Sequence, residues 1–141
     1  MADVIRFDNG LKEYSLNDAV TVCFNPTDIK FIERVFDVFD EMDKKQEAYK
    51  AEIDKVDDRR VFDLANRYDA EIRDMINGIF GQDVCTPLFG GMSVNTLADG
   101  LPLWANLFFA IVDTFDGAFV EQKKRTNPRI KKYTEKYSKK R

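Results

Sequence analysis

Four carboxylates are the residues whose type and spacing come closest to a catalytic pattern. Asp37 and Asp40 are three residues apart in a stretch without glycine or proline, and Glu71 and Asp74 repeat the spacing. Residues three or four apart share one face of a helix. If the two helices are antiparallel the pairs can meet, and carboxylate oxygens are the hard ligands that Mg²⁺ takes. The competing interpretation is a solvated acidic face opposite an apolar one.

The two acidic pairs resemble those of the all-helical nucleotide pyrophosphohydrolases, in which Glu-x-x-Glu and Glu-x-x-Asp come from neighbouring helices. The resemblance implies a Mg-dependent nucleotide hydrolase. This chain departs from the pattern, because its first pair is Asp37-x-x-Asp40 and no set of lysines or asparagines follows. The hydrolase is therefore the alternative to a non-enzymatic protein.

The rest of the composition offers little further chemistry. Histidine is absent from all 141 residues, which excludes histidine-dependent triads and histidine-ligated zinc or haem. The two cysteines, Cys23 and Cys85, form no CxxC and supply too few ligands for structural zinc. Both adjoin apolar residues, so we expect two buried, reduced thiols in a cytosolic protein. We predict no enzymatic activity, no metal and no cofactor.

The net charge of −3 conceals a strong polarity. Residues 1–120 hold 12 Lys+Arg against 23 Asp+Glu, which is −11, and residues 121–141 hold 10 against 2, which is +8. The last part contains the candidate partner-binding residues Lys131, Lys132, Tyr133, Lys136 and Tyr137. Tyrosines among lysines can stack on bases, but the acidic body would repel phosphates and no nucleic-acid-binding motif is present. We expect a solvated or partner-binding tail that complements an acidic surface, for example on another copy, and no nucleic acid partner.

The chain begins with three predicted strands over residues 1–25. Val4–Phe7 and Leu11–Leu16 are separated by Asp8-Asn9-Gly10, a strong hairpin signal. Ala19–Phe24 follows another turn and alternates apolar residues on one face. This pattern predicts a three-stranded antiparallel meander with one face packed on helices.

Helices are predicted for the rest of the body. Residues 26–80 carry two apolar stripes at helical spacing, which predict helices at about 26–56 and 59–80 folded as a hairpin, with one bent helix as the competing interpretation. Gly81 is a predicted C-cap. Residues 81–126 form a connector with short helical turns and a very apolar core helix at about 102–125. The predicted fold is α+β, with a single domain over 1–126 and a basic tail over 127–141.

The stripe on the first helix contains candidate partner-binding residues. Phe39, Met42, Tyr49 and Ile53 follow the three-four spacing of a coiled-coil seam. One interpretation is the core of the helical hairpin. The other is an exposed seam that captures a foreign amphipathic helix or a second copy of the chain. Self-association is therefore a further hypothesis.

Four runs of sequence resemble a family of small proteins encoded in prophages of Gram-positive bacteria, and the resemblance covers nearly the whole chain. They are Phe7-Asp8-Asn9-Gly10-Leu11-Lys12-Glu13-Tyr14, Val20-Thr21-Val22-Cys23-Phe24-Asn25-Pro26-Thr27-Asp28, Ala98-Asp99-Gly100-Leu101-Pro102-Leu103-Trp104-Ala105-Asn106 and Asn127-Pro128-Arg129-Ile130-Lys131-Lys132-Tyr133. In layout the family is similar to phage tail assembly chaperones.

That resemblance implies a non-enzymatic protein that binds the helical tape measure protein before the tail tube polymerises around it, in the cytoplasm of the bacterial host. A structural tail component is the other phage role that it leaves open. We expect no membrane association, because the longest apolar stretch, near Leu101–Val112, is too short to span a bilayer.

Overall fold

A computed structural model describes residues 1–125 of the chain, and the predicted tail, residues 127–141, lies outside that part. The described part is α+β and mostly helical, as predicted. The elements in chain order are β1 (Lys12–Leu16), β2 (Val20–Phe24), α1 (Ile29–Ile53), α2 (Val61–Phe80), α3 (Cys85–Phe89), β3 (Leu97–Ala98), β4 (Leu101–Pro102) and α4 (Leu103–Lys124).

The predicted three-stranded meander is wrong, because residues 1–11 contain no strand and the four strands form two separate two-stranded sheets. The side chains of Asp8 and Asn9 each accept a hydrogen bond from the backbone N–H two residues further on, at 2.9 and 3.2 Å. Asn25 Nδ2 donates to the carbonyl of Asn9 at 3.0 Å. Such local side-chain bonds compete with a strand ladder, and they leave Val4, Ile5 and Phe7 largely exposed.

Strands β1 and β2 form an antiparallel hairpin in which Tyr14 pairs with Val22. Asn17 and Asp18 both have positive φ, as the tight turn between the strands requires. Side chains alternate between the two faces of a strand. Val22 therefore points into the core, whereas Cys23 beside it is exposed. The prediction of two buried thiols is correct for Cys85 and wrong for Cys23.

Helices α1 and α2 form the predicted hairpin and do not form one bent helix. The cap of α1 is Asp28, whose carboxylate accepts from the Lys30 backbone N–H, so the helix begins slightly later than predicted. Upstream of this cap, the side chain of Asn25 accepts a hydrogen bond from the backbone N–H of Thr27. Gly81 ends α2 in the left-handed region with φ 67°, as predicted.

The connector between α2 and α4 is held by side chains of α2. Arg73 donates to the carbonyls of Gly90 and Met92 at 2.9 and 2.7 Å. Asp69 binds Arg73 Nε at 2.9 Å and accepts from the backbone N–H of Val94 at 2.7 Å. Val94 is fully buried, and its carbonyl accepts from the backbone N–H at the start of α4. These bonds position α4 relative to the hairpin.

The core lies where α4 crosses the helical hairpin and the inner face of the β1–β2 sheet. On the α4 side the core contains a buried stripe at helical spacing. Phe24 stacks on Phe31, and Phe115 meets both rings edge-on with ring centroids within 6.3 Å. The buried residues of α4 are Trp104, Ala105, Phe108, Ile111, Phe115 and Ala118. The prediction of a central apolar helix is therefore confirmed.

Candidate partner-binding surfaces

The four carboxylates singled out in the sequence do not converge. Lys45 on α1 forms an ion pair with Glu71 on α2 at 3.3 Å, so an internal lysine engages one of the four carboxylates. All four carboxylates are exposed. Within residues 1–125 no group of three or more His, Cys, Asp or Glu side chains could hold a metal ion. The two acidic pairs therefore form no metal-binding cluster within the described residues.

A pocket of about 220 Å³ lies between α1 and α2, and its walls carry internal ion pairs. Arg67 binds Glu52 at 3.1 Å, as Lys45 binds Glu71. Tyr68 stacks on Tyr49 at 4.5 Å, and burial raises the pKa of its hydroxyl to about 12. The charges that line this pocket thus neutralise one another in pairs.

The seam residues predicted to face a partner pack mainly inside the fold. Met42 is 2% exposed and belongs to the core. Phe39 stacks on Phe108 of α4 at 3.7 Å, and Tyr49 and Ile53 are half-buried. Of the two interpretations of this stripe, the structure supports the core of the helical hairpin, because α2 and α4 cover the stripe from two sides. A partner-binding role for these residues stays a prediction. The predicted residues of the tail, Lys131, Lys132, Tyr133, Lys136 and Tyr137, lie outside the described residues.

An apolar groove runs along one flank of α4, between the tip of the β1–β2 hairpin and α3. Its volume is about 340 Å³. Two strands and two helices contribute to its walls, so the groove exists only in the folded chain. The main apolar side chains of the groove are Tyr14, Leu16, Leu88, Phe89, Leu103 and Leu107.

The polar side chains at this groove are largely engaged within the protein. Asn106 Nδ2 donates to the carbonyl of Ala98 at 2.8 Å, and Thr114 Oγ1 donates to the carbonyl of Ile111 at 2.6 Å. Burial, aided by the carboxylate of Glu121, raises the pKa of Tyr14 and keeps its hydroxyl neutral. An apolar occupant would therefore bury few polar groups that lack a hydrogen-bond partner.

A second apolar surface, termed here the aromatic face, lies on the opposite flank of α4 against α1. Phe36 and Phe109 are 43% and 47% exposed. Phe108 lies between them, with ring centroids at 5.5 Å from Phe36 and 5.6 Å from Phe109. Apolar side chains at helical spacing from these rings extend the surface along α1 and α4. The aromatic face consists of Ile29, Ile32, Phe36, Phe109, Val112 and Val120.

Helix α4 thus carries apolar side chains both on the side that packs in the core and on its exposed flanks. Among the described helices, α4 alone is long and apolar enough to cross a bilayer by length and composition, with 33% of that window buried. Its buried stripe makes it the central helix of the core, and such core helices meet the same criteria. Its remaining apolar side chains form the groove on one flank and part of the aromatic face on the other.

Sequence reasoning missed both surfaces. The groove depends on Leu88 and Phe89, which lie in a segment rich in glycine and proline. Helical spacing in Cys85–Phe89 is too short a signal to place them. The aromatic face depends on Phe36 and Phe109, which lie just outside the stripes used for the prediction. Comparisons with protein-family models, with curated proteins and with solved structures find no match.

Proposed function

We propose that this protein is a non-enzymatic, phage tail assembly chaperone-like protein. It binds and shields the helical tape measure protein during tail morphogenesis, in the cytoplasm of the bacterial host. The sequence runs described above supply the phage context. The apolar groove beside α4 is the single structural observation that carries the binding role.

The groove suits an amphipathic helix of the partner. Helix-in-groove recognition places apolar side chains three, four and seven residues apart into a hydrophobic channel. The wall formed by Leu16, Leu88 and Leu107 offers contact along α4, and it contains no charged side chain that such a helix would have to desolvate. A long helical protein with many apolar faces can use this contact repeatedly along its length.

The charge of the body supports a shielding role. Residues 1–120 carry −11, and a net charge far from zero keeps proteins soluble. A partner helix covered by several copies of this protein would present an acidic surface in place of an apolar one. Binding through an open groove, with few buried polar bonds, also allows displacement when the tail tube assembles.

Coexpression with the tape measure protein of the same phage tests the proposal. Ala110 is exposed and lines the groove, so that Ala110→Glu places a charge in the groove without entering the core. Ala70→Glu on α2 is the matched control, because Ala70 is also exposed and lies away from the groove. We expect Ala110→Glu to lower the amount of soluble, copurifying tape measure protein about tenfold, and Ala70→Glu to leave it unchanged.

Three results would contradict the proposal. The first is equal recovery of the tape measure protein with both variants. The second is no copurification with the wild-type protein. The third is the presence of this protein in purified virions at fixed stoichiometry, which would instead indicate a structural tail component.

A further inference from the structure

Acidic side chains share the sides of α1 and α4 that carry the aromatic face. Glu33, Asp40 and Asp43 lie three, four and seven residues from Phe36 on α1 and therefore share its side of the helix. Asp113 and Asp116 stand in the same relation to Phe109 on α4. All five carboxylates are exposed, and none forms an ion pair within residues 1–125. The face thus combines exposed apolar side chains with exposed carboxylates that form no ion pair within the described residues.

The sequence of this same chain contains a segment with the opposite pattern. Residues 127–141 hold seven Lys+Arg against one acidic residue, Glu135. Ile130, Tyr133 and Tyr137 follow at spacings of three and four, so they form one apolar stripe if the segment becomes helical. A basic amphipathic segment matches an apolar face that also carries exposed carboxylates, in both hydrophobicity and charge.

The connection between the two is short enough for one chain. Helix α4 ends at Lys124, so only residues 125 and 126 separate it from residues 127–141. The 15 residues 127–141 would span about 22 Å as a helix, at about 1.5 Å per residue. The distance along α4 from Lys124 back to Phe109 covers 15 residue steps and is also about 22 Å.

We propose that residues 127–141 fold back over the aromatic face of their own chain. In this arrangement Ile130, Tyr133 and Tyr137 cover the exposed rings, and the lysines lie opposite the carboxylates of α1 and α4. The tail then protects from solvent the exposed rings of Phe36 and Phe109. The inference does not depend on the proposed function, because the groove lies on the other flank of α4.

Hydrogen exchange of the full-length protein measures the docking directly. In the wild-type protein we expect amide exchange within residues 129–140 to be slowed by about tenfold or more relative to an unstructured peptide. The double variant Phe36→Ser/Phe109→Ser removes the exposed rings, and Asp113→Asn/Asp116→Asn removes the negative charge on the α4 side of the face. We expect the first to abolish the protection and the second to reduce it and to weaken its dependence on salt.

Two further variants keep the test interpretable. Phe62→Ser is the matched control, because Phe62 is 74% exposed on α2 and away from the aromatic face, and it should leave the protection unchanged. Tyr133→Ser/Tyr137→Ser alters only the tail and should abolish the protection even if the Phe36→Ser/Phe109→Ser variant fails to fold.

The dependence of this amide protection on protein concentration shows whether the tail docks on its own chain or on another copy. Protection that is independent of concentration, with a monomeric mass by light scattering, supports docking within one chain. Protection that rises with concentration together with a doubled mass would overturn the proposal in favour of exchange between two copies. Tail amides that exchange at the rate of an unstructured peptide would overturn docking altogether.

Discussion

Replacing Arg73 with methionine should destabilise the fold by releasing the connector from α2. The guanidinium binds Asp69 at 2.9 Å and the carbonyls of Gly90 and Met92 at 2.9 and 2.7 Å. The side chains of the ion pair are only 18% and 20% exposed. Methionine keeps most of the apolar stem but none of these bonds.

The size of the effect follows from what remains after the substitution. Hydrogen bonds that involve a charged group contribute about 1.5–3 kcal/mol when shielded. Asp69 would keep its bond from the Val94 backbone N–H but would lose its counter-charge. The two freed carbonyls belong to exposed residues, where water can replace the lost donor. We therefore expect a loss of about 2–4 kcal/mol, against a total stability of about 5–15 kcal/mol for a domain.

Urea unfolding followed by circular dichroism measures this loss as a lower urea midpoint, with the slope of the unfolding free energy against urea concentration unchanged. The matched control is Arg67→Met on the same helix. Its ion pair with Glu52 has a similar length, 3.1 Å, but side chains that are 63% and 56% exposed, and such pairs contribute about 1 kcal/mol or less. If Arg73→Met and Arg67→Met lower the stability equally, the bonds from Arg73 do not hold the connector against α2.

Three other measurements test separate features of the structure. Burial raises the pKa of the Cys85 thiol from 9.0 to about 12. A group with a raised folded pKa contributes stability that is complete below pH 9 and is lost as the pH rises towards 12, so stability should fall by about 1 kcal/mol per pH unit in that range. Cys85→Ala should reduce this slope in alkaline urea titrations, and an unchanged slope would contradict the assignment. A thiol reagent at pH 8 should modify Cys23 quickly and Cys85 only at the rate of unfolding, because only Cys23 is exposed; rapid modification of both would contradict the burial of Cys85. Gly78→Ala should stabilise α2 by about 0.5–1 kcal/mol, since an added Cβ meets nothing within 4 Å. Gly10→Ala should destabilise, because φ is +73° and the Cβ would collide with the side chain of Asn25; thermal melts of the two variants that shift in the same direction would contradict this account.

The helical part of the fold could be predicted because its signals are local and repeated. The five-residue step from Val56 to Val61 separates the two apolar stripes, and the structure has α1 and α2 on either side of it. Gly81 ends α2 in the left-handed conformation, in which its backbone N–H donates to the carbonyl of Asn77. Such information is contained within a few residues and does not depend on distant contacts.

The surfaces could not be predicted because they depend on which elements cover one another. The spacing of Phe39, Met42 and Tyr49 correctly places them on one side of α1, but it does not show that other helices cover that side. The same limit applies near the N-terminus. A hairpin signal at Asp8-Asn9-Gly10 is compatible with a strand turn or with side-chain-capped turns, and the contact with Asn25 favours the second.

The far end of the α1–α2 hairpin has a consequence for how the length of this protein can vary. Within residues 1–125, the hydrogen bonds, ion pairs and aromatic contacts of residues 46–67 stay within the hairpin, as in the Tyr49–Tyr68 stack and the Arg67–Glu52 pair. A matched insertion of seven residues in each helix would preserve the apolar register of the pair and would leave α4 and both apolar surfaces where they are. The hairpin can therefore lengthen or shorten in steps of about 10 Å, at about 1.5 Å per residue, without any change to the rest of the fold.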